Sequence, residues 1–192
     1  RSISALADGS SLITGSFKDT ASFGSTTLTS AGNADVFIAK LNADGSYAWA
    51  QKAGGSTYDS GIWRDWDGGY GISALADGSS LITGDFESGA RFGTTATLNP
   101  TGKKDVFIAK LKADGSYAWV TKVGGSSRPA RSGSGDDYVN HGHSISVLAD
   151  GSSLITGSFE GTAGFGTTIL TSAGGDRDVF IAKLNADGSY AW

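Results

Sequence analysis

The sequence DVFIAKLNADGSYAWAQKAG at residues 35–54 has the pattern of two β-strands joined by a tight turn. Asp44-Gly45 separates two apolar runs, and Asp-Gly is a preferred pair for a two-residue hairpin because glycine accepts a positive φ. In the first run, Val36 and Ile38 face one side of the strand and Phe37 faces the other. Apolar residues on both faces predict a strand that is covered on both sides.

The same hairpin sequence occurs three times in the chain. DVFIAKL begins at Asp35, Asp105 and Asp178, at intervals of about 70 residues. A second hairpin sequence, LADGSSLITG, precedes each copy and is also built around Asp-Gly. It occupies residues 6–15, 75–84 and 148–157. The chain therefore consists of three tandem repeats.

Each repeat is predicted to be a meander of four antiparallel strands, which makes the chain all-β. Repeated small sheets that are covered on both faces are typical of β-propeller blades. A β-trefoil also has three four-stranded repeats and is the alternative architecture. The predicted repeats are residues 1–55, 72–125 and 144–192, separated by variable loops at 56–71 and 126–143.

One connection inside the first repeat is long for a compact unit. It covers residues 18–34, and long structureless loops are uncommon inside compact domains. The pattern leaves open whether STTLTS at residues 25–30 adds a short strand or a hairpin there.

DVFIAKLNADGSYAW, followed by KAGGS at residues 52–56 or KVGGS at 122–126, resembles the bacterial β-propeller repeat known as SBBP. In that family an Asp-x-Phe-x-Ala-Lys-Leu strand leads through an Asp-Gly turn to an aromatic strand and a Gly-Gly pair. The resemblance covers essentially all three repeats, although these are longer because of inserts after Gly-Gly-Ser. It implies propeller blades and, since such repeats are typical of large secreted bacterial surface proteins, an extracellular or cell-surface location.

Composition and length exclude some classes of function and leave others. The chain has 15 Lys and Arg against 19 Asp and Glu, a net charge of −4, so a nucleic-acid surface is not expected. No run approaches the roughly 18 apolar residues of a membrane helix, so membrane insertion is not expected either. Propellers have about four to eight blades. With three repeats, we expect either part of a longer array or a half-ring that associates with a second copy.

The repeats differ most in the two connections between them, and loops on a rigid scaffold are where binding usually occurs. The loop at 56–71 combines aromatic side chains with carboxylates, as a sugar-binding surface does, although large aromatics also serve burial at the rim of a sheet. The candidate ligand-binding residues are Tyr58, Asp59, Trp63, Arg64, Trp66 and Tyr70.

The same loop contains a short acidic motif. Asp65-Trp66-Asp67-Gly68 resembles the start of a calcium loop, but no glutamate closes it, and a solvated turn is the alternative reading. Asp136-Asp137 adds carboxylates from the second insert. The candidate calcium ligands are Asp65, Asp67, Asp136 and Asp137, and no other cofactor is indicated.

Two histidines and three aspartates were considered for chemistry. His141 and His143 are spaced to share one strand face, but with no Cys to complete a four-ligand zinc site we expect them at the surface. Asp35, Asp105 and Asp178 recur in every repeat, whereas catalysis needs one asymmetric constellation. We therefore expect these aspartates to fix turns or cap backbone N–H groups.

These patterns predict a non-enzymatic extracellular or cell-surface scaffold or adhesion module. One alternative is a carbohydrate-binding module that uses the loop at 56–71. Another is a hydrolase or lyase on a propeller, which would need a cluster of unlike polar residues at the ring axis.

Overall fold

The computed structural model describes residues 1–55, 66–87, 89–125, 140–173 and 177–192. Within these ranges the chain forms seventeen β-strands and no helix, which confirms the all-β prediction. The described residues accordingly contain no helix long and apolar enough to cross a membrane. The strands are β1 (Ser2–Ala5), β2 (Ser11–Phe17), β3 (Thr20–Phe23), β4 (Thr26–Thr29), β5 (Asp35–Leu41), β6 (Tyr47–Gly54), β7 (Gly68–Ala74), β8 (Ser80–Phe86), β9 (Ala90–Phe92), β10 (Ala96–Leu98), β11 (Asp105–Leu111), β12 (Tyr117–Val123), β13 (His141–Val147), β14 (Ser153–Phe159), β15 (Thr162–Phe165), β16 (Thr168–Thr171) and β17 (Asp178–Leu184).

The long strands of each repeat form an antiparallel sheet in chain order. The second repeat has the order β7-β8-β11-β12, and the first repeat has β1-β2-β5-β6. In the third repeat, β13-β14-β17 are followed by a bridge between Leu184 and Tyr190, and backbone hydrogen bonds join Lys183 to Ala191 and Trp192. The prediction of four antiparallel strands is thus confirmed in the first two repeats. In the third repeat, the Leu184–Tyr190 bridge takes the place of the fourth strand.

Turns form at the predicted Asp-Gly pairs, but the prediction of two-residue loops was wrong. At the first turn the Gly9 N–H donates to the Leu6 carbonyl and the Leu6 N–H to the Ser10 carbonyl, which leaves a loop of three residues, 7–9. The glycines of the Asp-Gly pairs have φ values of 80–87°, which only glycine adopts without strain. At the first turn, Asp8 accepts hydrogen bonds from the Ser10 hydroxyl at 2.6 Å and from the Ser10 N–H at 2.9 Å. These two bonds lower the pKa of Asp8 below its ordinary value.

Residues 18–34 contain the hairpin that the sequence left open, because β3 pairs with β4. The other repeats have equivalent hairpins, β9–β10 and β15–β16. In the second repeat β9 also pairs with β6, where Phe92 lies opposite Ala53. A bridge between Gly124 and Gly164 makes the same link between the second and third repeats. The hairpin therefore ties a repeat to the outer strand of the repeat before it.

The first strands of the second and third repeats begin earlier than the sequence suggested. β7 begins at Gly68 and β13 at His141, inside the predicted loops at 56–71 and 126–143. Both segments contain glycine, which has a low strand propensity, so their pairing with β8 and β14 is decided by the sheet.

Each sheet has two apolar faces because alternate side chains of a strand point to opposite sides. We call the face that contacts the following repeat the forward face; in the first repeat it includes Leu12, Val36 and Ile38. We call the face that contacts the preceding repeat the backward face; in the second repeat it includes Ile72 and Phe107. These side chains form one buried cluster.

The contact between the second and third repeats uses equivalent positions. Leu81, Val106 and Ile108 on the forward face of the second repeat pack with Ile145 and Phe180 on the backward face of the third. All five side chains are buried. Burial contributes about 1.5–3 kcal/mol for each large aliphatic side chain, so this contact is a main source of stability.

Polar contacts between repeats recur as well. The Trp49 indole N–H donates to the Ala113 carbonyl at 3.1 Å, and the Trp119 indole N–H donates to the Ala186 carbonyl at 3.3 Å. Tyr117 donates to the Lys52 carbonyl at 3.2 Å, as Tyr190 does to Lys122 at 3.1 Å. The two contacts are thus copies of each other in polar detail as well as in apolar packing.

Candidate functional site

Most of the predicted site residues lie outside the residues that the structure describes. The residues outside the described ranges are Tyr58, Asp59, Trp63, Arg64, Asp65, Asp136 and Asp137. Trp66, Asp67 and Tyr70 are described, and they lie at the start of the second repeat. The candidate site is therefore built around these three residues and their neighbours.

Asp67 is buried and binds backbone groups of the first and second repeats. Its carboxylate accepts hydrogen bonds from the Gly55 N–H at 3.1 Å and the Glu87 N–H at 3.0 Å. Its own N–H donates to the Ala34 carbonyl at 3.0 Å. Asp67 therefore joins the end of the first repeat to the second.

The calcium hypothesis stays a prediction. Among the described residues, no group of three or more His, Asp or Glu side chains lies close enough together to hold a metal ion. Three of the four predicted ligands, Asp65, Asp136 and Asp137, lie outside those residues.

Trp66 and Tyr70 are partly exposed, at 40% and 38%. The ammonium group of Lys18 lies 4.4 Å from the centre of the Trp66 ring, which is within the range of a cation–π contact. By contrast, Tyr117 is buried in the contact between the first and second repeats. The two aromatic side chains at the start of the second repeat thus present accessible surface.

An ionic network lies directly beneath this surface. Asp85 on β8 is fully buried, and Lys104 before β11 is nearly so. The Lys104 Nζ lies 3.0 Å from Glu87 Oε1, 3.1 Å from the Trp66 carbonyl and 3.5 Å from Asp85 Oδ1. The contact with Asp85 Oδ1 is an ion pair without a hydrogen bond, so this buried oxygen is held by charge alone.

The charges of the network shift the pKa values of two of its members. Burial alone would lower the pKa of Lys104, but Asp85 and Glu87 outweigh that effect and raise it. Burial is the main cause that raises the pKa of Tyr70 to about 12, and the neighbouring charge of Asp85, which accepts a hydrogen bond from the tyrosine, raises it further. Lys104 is therefore charged and Tyr70 neutral at ordinary pH.

His141 extends the network into the third repeat. Its Nδ1 hydrogen-bonds the Asp85 carboxylate across the boundary between the repeats. A carboxylate at Nδ1 fixes the imidazole and leaves Nε2 for another partner. Ser158, however, bonds to Nε2 of His143 at 3.1 Å, so the serine and Asp85 hold different imidazoles and do not form a Ser-His-Asp triad.

The buried carboxylate of Asp85 is not repeated at the equivalent positions of the first and third repeats. Ser16 and Ser158 stand at the position of Asp85, and Ala34 and Arg177 stand at the position of Lys104. The sequence does contain a signal for this difference, since LITGDF in the second repeat replaces LITGSF. Asp85 and Lys104 were not among the predicted site residues, because the prediction rested on the variable loops and not on a single substitution inside a strand.

The repeated aspartates have the structural role that was expected of them. Asp35 accepts the Ala31 N–H at 2.9 Å, and Asp105 accepts the Thr101 N–H at 2.8 Å. Asp178 accepts the Ala173 N–H at 2.7 Å. The prediction that they cap backbone N–H groups is confirmed.

No protein-family model and no curated protein match this chain. The resemblance to the SBBP repeat therefore stays a prediction.

Proposed function

We propose that the chain is a non-enzymatic scaffold or adhesion module built of β-propeller blades and located at the cell surface or outside the cell. The observation that carries the proposal is that one and the same contact joins the repeats at two places. Propeller blades pack face to face in this way around an axis. β7 contacts β1 on one side and β13 on the other, as the innermost strands of neighbouring blades do.

The contacts of the polar cluster support a scaffold over a hydrolase or lyase. An enzyme needs polar groups that are free to act on a substrate. Asp85, Lys104 and Glu87 instead bind one another and the backbone of Trp66. This network links side chains within the second repeat and, through His141, links the second repeat to the third.

The exposed aromatic pair supports carbohydrate binding as a second candidate function. Trp66 and Tyr70 are each more than one-third exposed, and in the sequence they follow the variable segment 56–65. Flat aromatic faces bind sugars by stacking on ring C–H groups, and partly exposed aromatics are suited to this. In this reading the scaffold carries a glycan site at one boundary between repeats.

Adhesion is tested with beads that are coated with the chain and applied to intact bacterial cells. The matched variant has residues 56–65 and 126–139 replaced by Gly-Ser linkers of equal length. We expect wild-type beads to bind and variant beads not to bind, with an unchanged circular dichroism spectrum. Wild-type beads that bind no better than albumin-coated beads would contradict the proposal.

Carbohydrate binding is tested on a printed array of oligosaccharides with Trp66→Ala. Its control is Ile169→Ala, which removes a side chain that is also well exposed but lies on the hairpin of the third repeat. If the chain binds sugars through Trp66, the signal disappears in the first variant and persists in the second. Absence of any array signal from the wild-type chain would exclude this candidate.

A further inference from the structure

The forward face of the third repeat has no neighbour in the structure. Val179 and Ile181 on this face are 73% and 64% exposed. Their equivalents in the second repeat, Val106 and Ile108, have identical neighbours in the sequence DVFIAKL and are both 0% exposed. The difference arises because β13 and β14 cover the second repeat.

The backward face of the first repeat is open in the same way. Ile3 is 68% exposed, whereas Ile72 and Ile145 at the equivalent positions are 5% exposed. Tyr47 is exposed as well, whereas Tyr117 at the same position of the second repeat is buried. The chain thus presents one apolar face of each type.

The two open faces carry the same residues as the faces that meet inside the chain. On the forward side, Leu81, Val106, Ile108 and Trp119 correspond to Leu154, Val179, Ile181 and Trp192. On the backward side, Ile72, Ile82, Phe107, Leu111 and Tyr117 correspond to Ile3, Ile13, Phe37, Leu41 and Tyr47. The forward and backward faces pack against each other at two places inside the chain. One further copy of each face is exposed.

Trp192 and Gly45 show the match most directly. Trp192 stands at the position of Trp119 and is 60% exposed, whereas the Trp119 indole packs against Gly188 in the turn of the next repeat. The equivalent turn glycine of the first repeat is Gly45, and no heavy atom lies within 4 Å of the position that a Cβ would occupy there. Among the described residues, the Trp192 indole therefore has no turn to pack against, and the turn at Gly45 has no indole packed on it.

We propose that a second copy of this chain covers the forward face of the third repeat with the backward face of its own first repeat, and that the contact is reciprocal. The inference rests on the proposed function, because it takes the repeats to be blades. Two copies of the 192 residues described by this sequence supply six repeats, within the range of about four to eight blades that close a propeller. A head-to-tail contact of this kind closes into a ring when its rotation fits.

In the new contact, Trp192 of one copy donates its indole N–H to the Ala43 carbonyl of the other, as Trp49 donates to Ala113 within one chain. Val179 and Ile181 pack on the Ile3 face, as Val106 and Ile108 pack with Ile145. The same amino acids thus make the same contacts between chains as within one.

The test is the mass of the purified chain in solution, measured by light scattering coupled to size exclusion. We expect a dimer near twice 19.5 kDa for the wild type and a monomer with an unchanged circular dichroism spectrum for Val179→Asp. The control Ile169→Asp places the same charge at a side chain that is 71% exposed on β16, outside both open faces, and stays dimeric.

A folded wild-type monomer, or a dimer that Val179→Asp leaves intact, would overturn the inference. Neither result would touch the contacts inside the chain, so the blade proposal would survive it. The blade proposal fails on a different result: Ile108→Ala, a truncation in the interior contact, would leave the free energy of unfolding unchanged.

Discussion

A single residue, Asp85, changes what the second repeat contains. The strand around it is otherwise the same as in the other repeats, where Ser16 and Ser158 occupy its position. A buried carboxylate is unfavourable unless it is paired, and Lys104 and His141 supply partners from a neighbouring strand and from the next repeat. The charge of Asp85 therefore depends on partners that lie far away in the sequence.

Tyr70 reports on this network, and its ionisation is the first prediction. Burial and Asp85 raise its pKa to about 12, whereas a tyrosine in the unfolded chain ionises near pH 10. Between these values the unfolded state has lost the proton that the folded state keeps, so the free energy of unfolding falls as pH rises. We expect Tyr70→Phe to reduce this fall, measured by denaturant unfolding between pH 9 and pH 12.

Absorbance titration of the phenolates supplies an independent check. Subtracting the titration curve of Tyr70→Phe from that of the wild-type chain gives the titration of Tyr70 alone. We expect its midpoint near pH 12. A midpoint at the ordinary value of an exposed tyrosine would show that Tyr70 is not part of the network.

At the residue scale, local chemistry is predictable and long-range chemistry is not. The Asp8-Gly9 turn follows from two adjacent residues, and so does the hydrogen bond from Ser10. Asp67 resembled a calcium ligand because its sequence neighbours are acidic, yet its partners Gly55 and Glu87 come from other strands or turns. The use of a buried carboxylate depends on which backbone groups the fold brings to it.

At the level of elements, identical strands are buried to different extents. β5, β11 and β17 all have the sequence DVFIAKL, but the forward side of β17 is exposed. The sequence predicted that both faces of such a strand are covered, and this holds for β11, where Phe107 and Ile108 are both fully buried. Whether a strand face is buried depends on the neighbouring repeat, so it cannot be predicted from the sequence of the strand alone.

This difference gives a matched pair of substitutions. Ile108→Ala removes a fully buried side chain from the interior contact, and such truncations cost about 2–5 kcal/mol of unfolding free energy. Ile181→Ala changes the same position of the same sequence where the side chain is 64% exposed, and surface changes stay within about 0.5 kcal/mol. The measurement is urea unfolding.

Both substitutions are made in the Val179→Asp background, so that association does not add to the stability of Ile181. Equal effects of the two truncations would mean that the interior contact does not bury Ile108 in solution. That result would contradict the packing of blades on which the proposed function rests.

The additional hairpins show which elements were harder to foresee. β3 and β4 have only four residues each, and Thr and Ser dominate them, so their sequences carry little hydrophobic alternation. In the second repeat the hairpin gains a partner because β9 pairs with β6 of the repeat before it. The position of such a hairpin is determined mainly by the sheet edge with which it pairs. That edge belongs to the preceding repeat, so the sequence of one repeat does not predict the pairing.

At the scale of the whole molecule, the three repeats form a directional stack, with the backward face of the first repeat at one end and the forward face of the third repeat at the other. Stability in such a stack comes from each repeat and from its contact with the next. The number of repeats is predictable from the sequence, but the order in which they contact one another follows from the structure, where Val36 and Val106 are buried under the following repeat. The open Val179 face follows from that order.

The direction of the stack leads to the last prediction, which concerns mixtures of two variants. Val179→Asp removes the forward face and Ile3→Asp removes the backward face, so neither variant alone can make a contact between copies. Mixed in equal amounts, the first supplies an intact backward face and the second an intact forward face. We expect both separate variants to be monomers and the mixture to contain a heterodimer by light scattering.

The mixed dimer has one contact instead of two, so it dissociates at a higher concentration than the wild type, in which the second contact forms within the complex. A symmetric association of two forward faces predicts something else, namely that Ile3→Asp alone remains dimeric. A mixture that stays monomeric where the wild type is dimeric, even at raised concentration, would argue against head-to-tail assembly. The polarity that the repeats have inside the chain would then not extend beyond it.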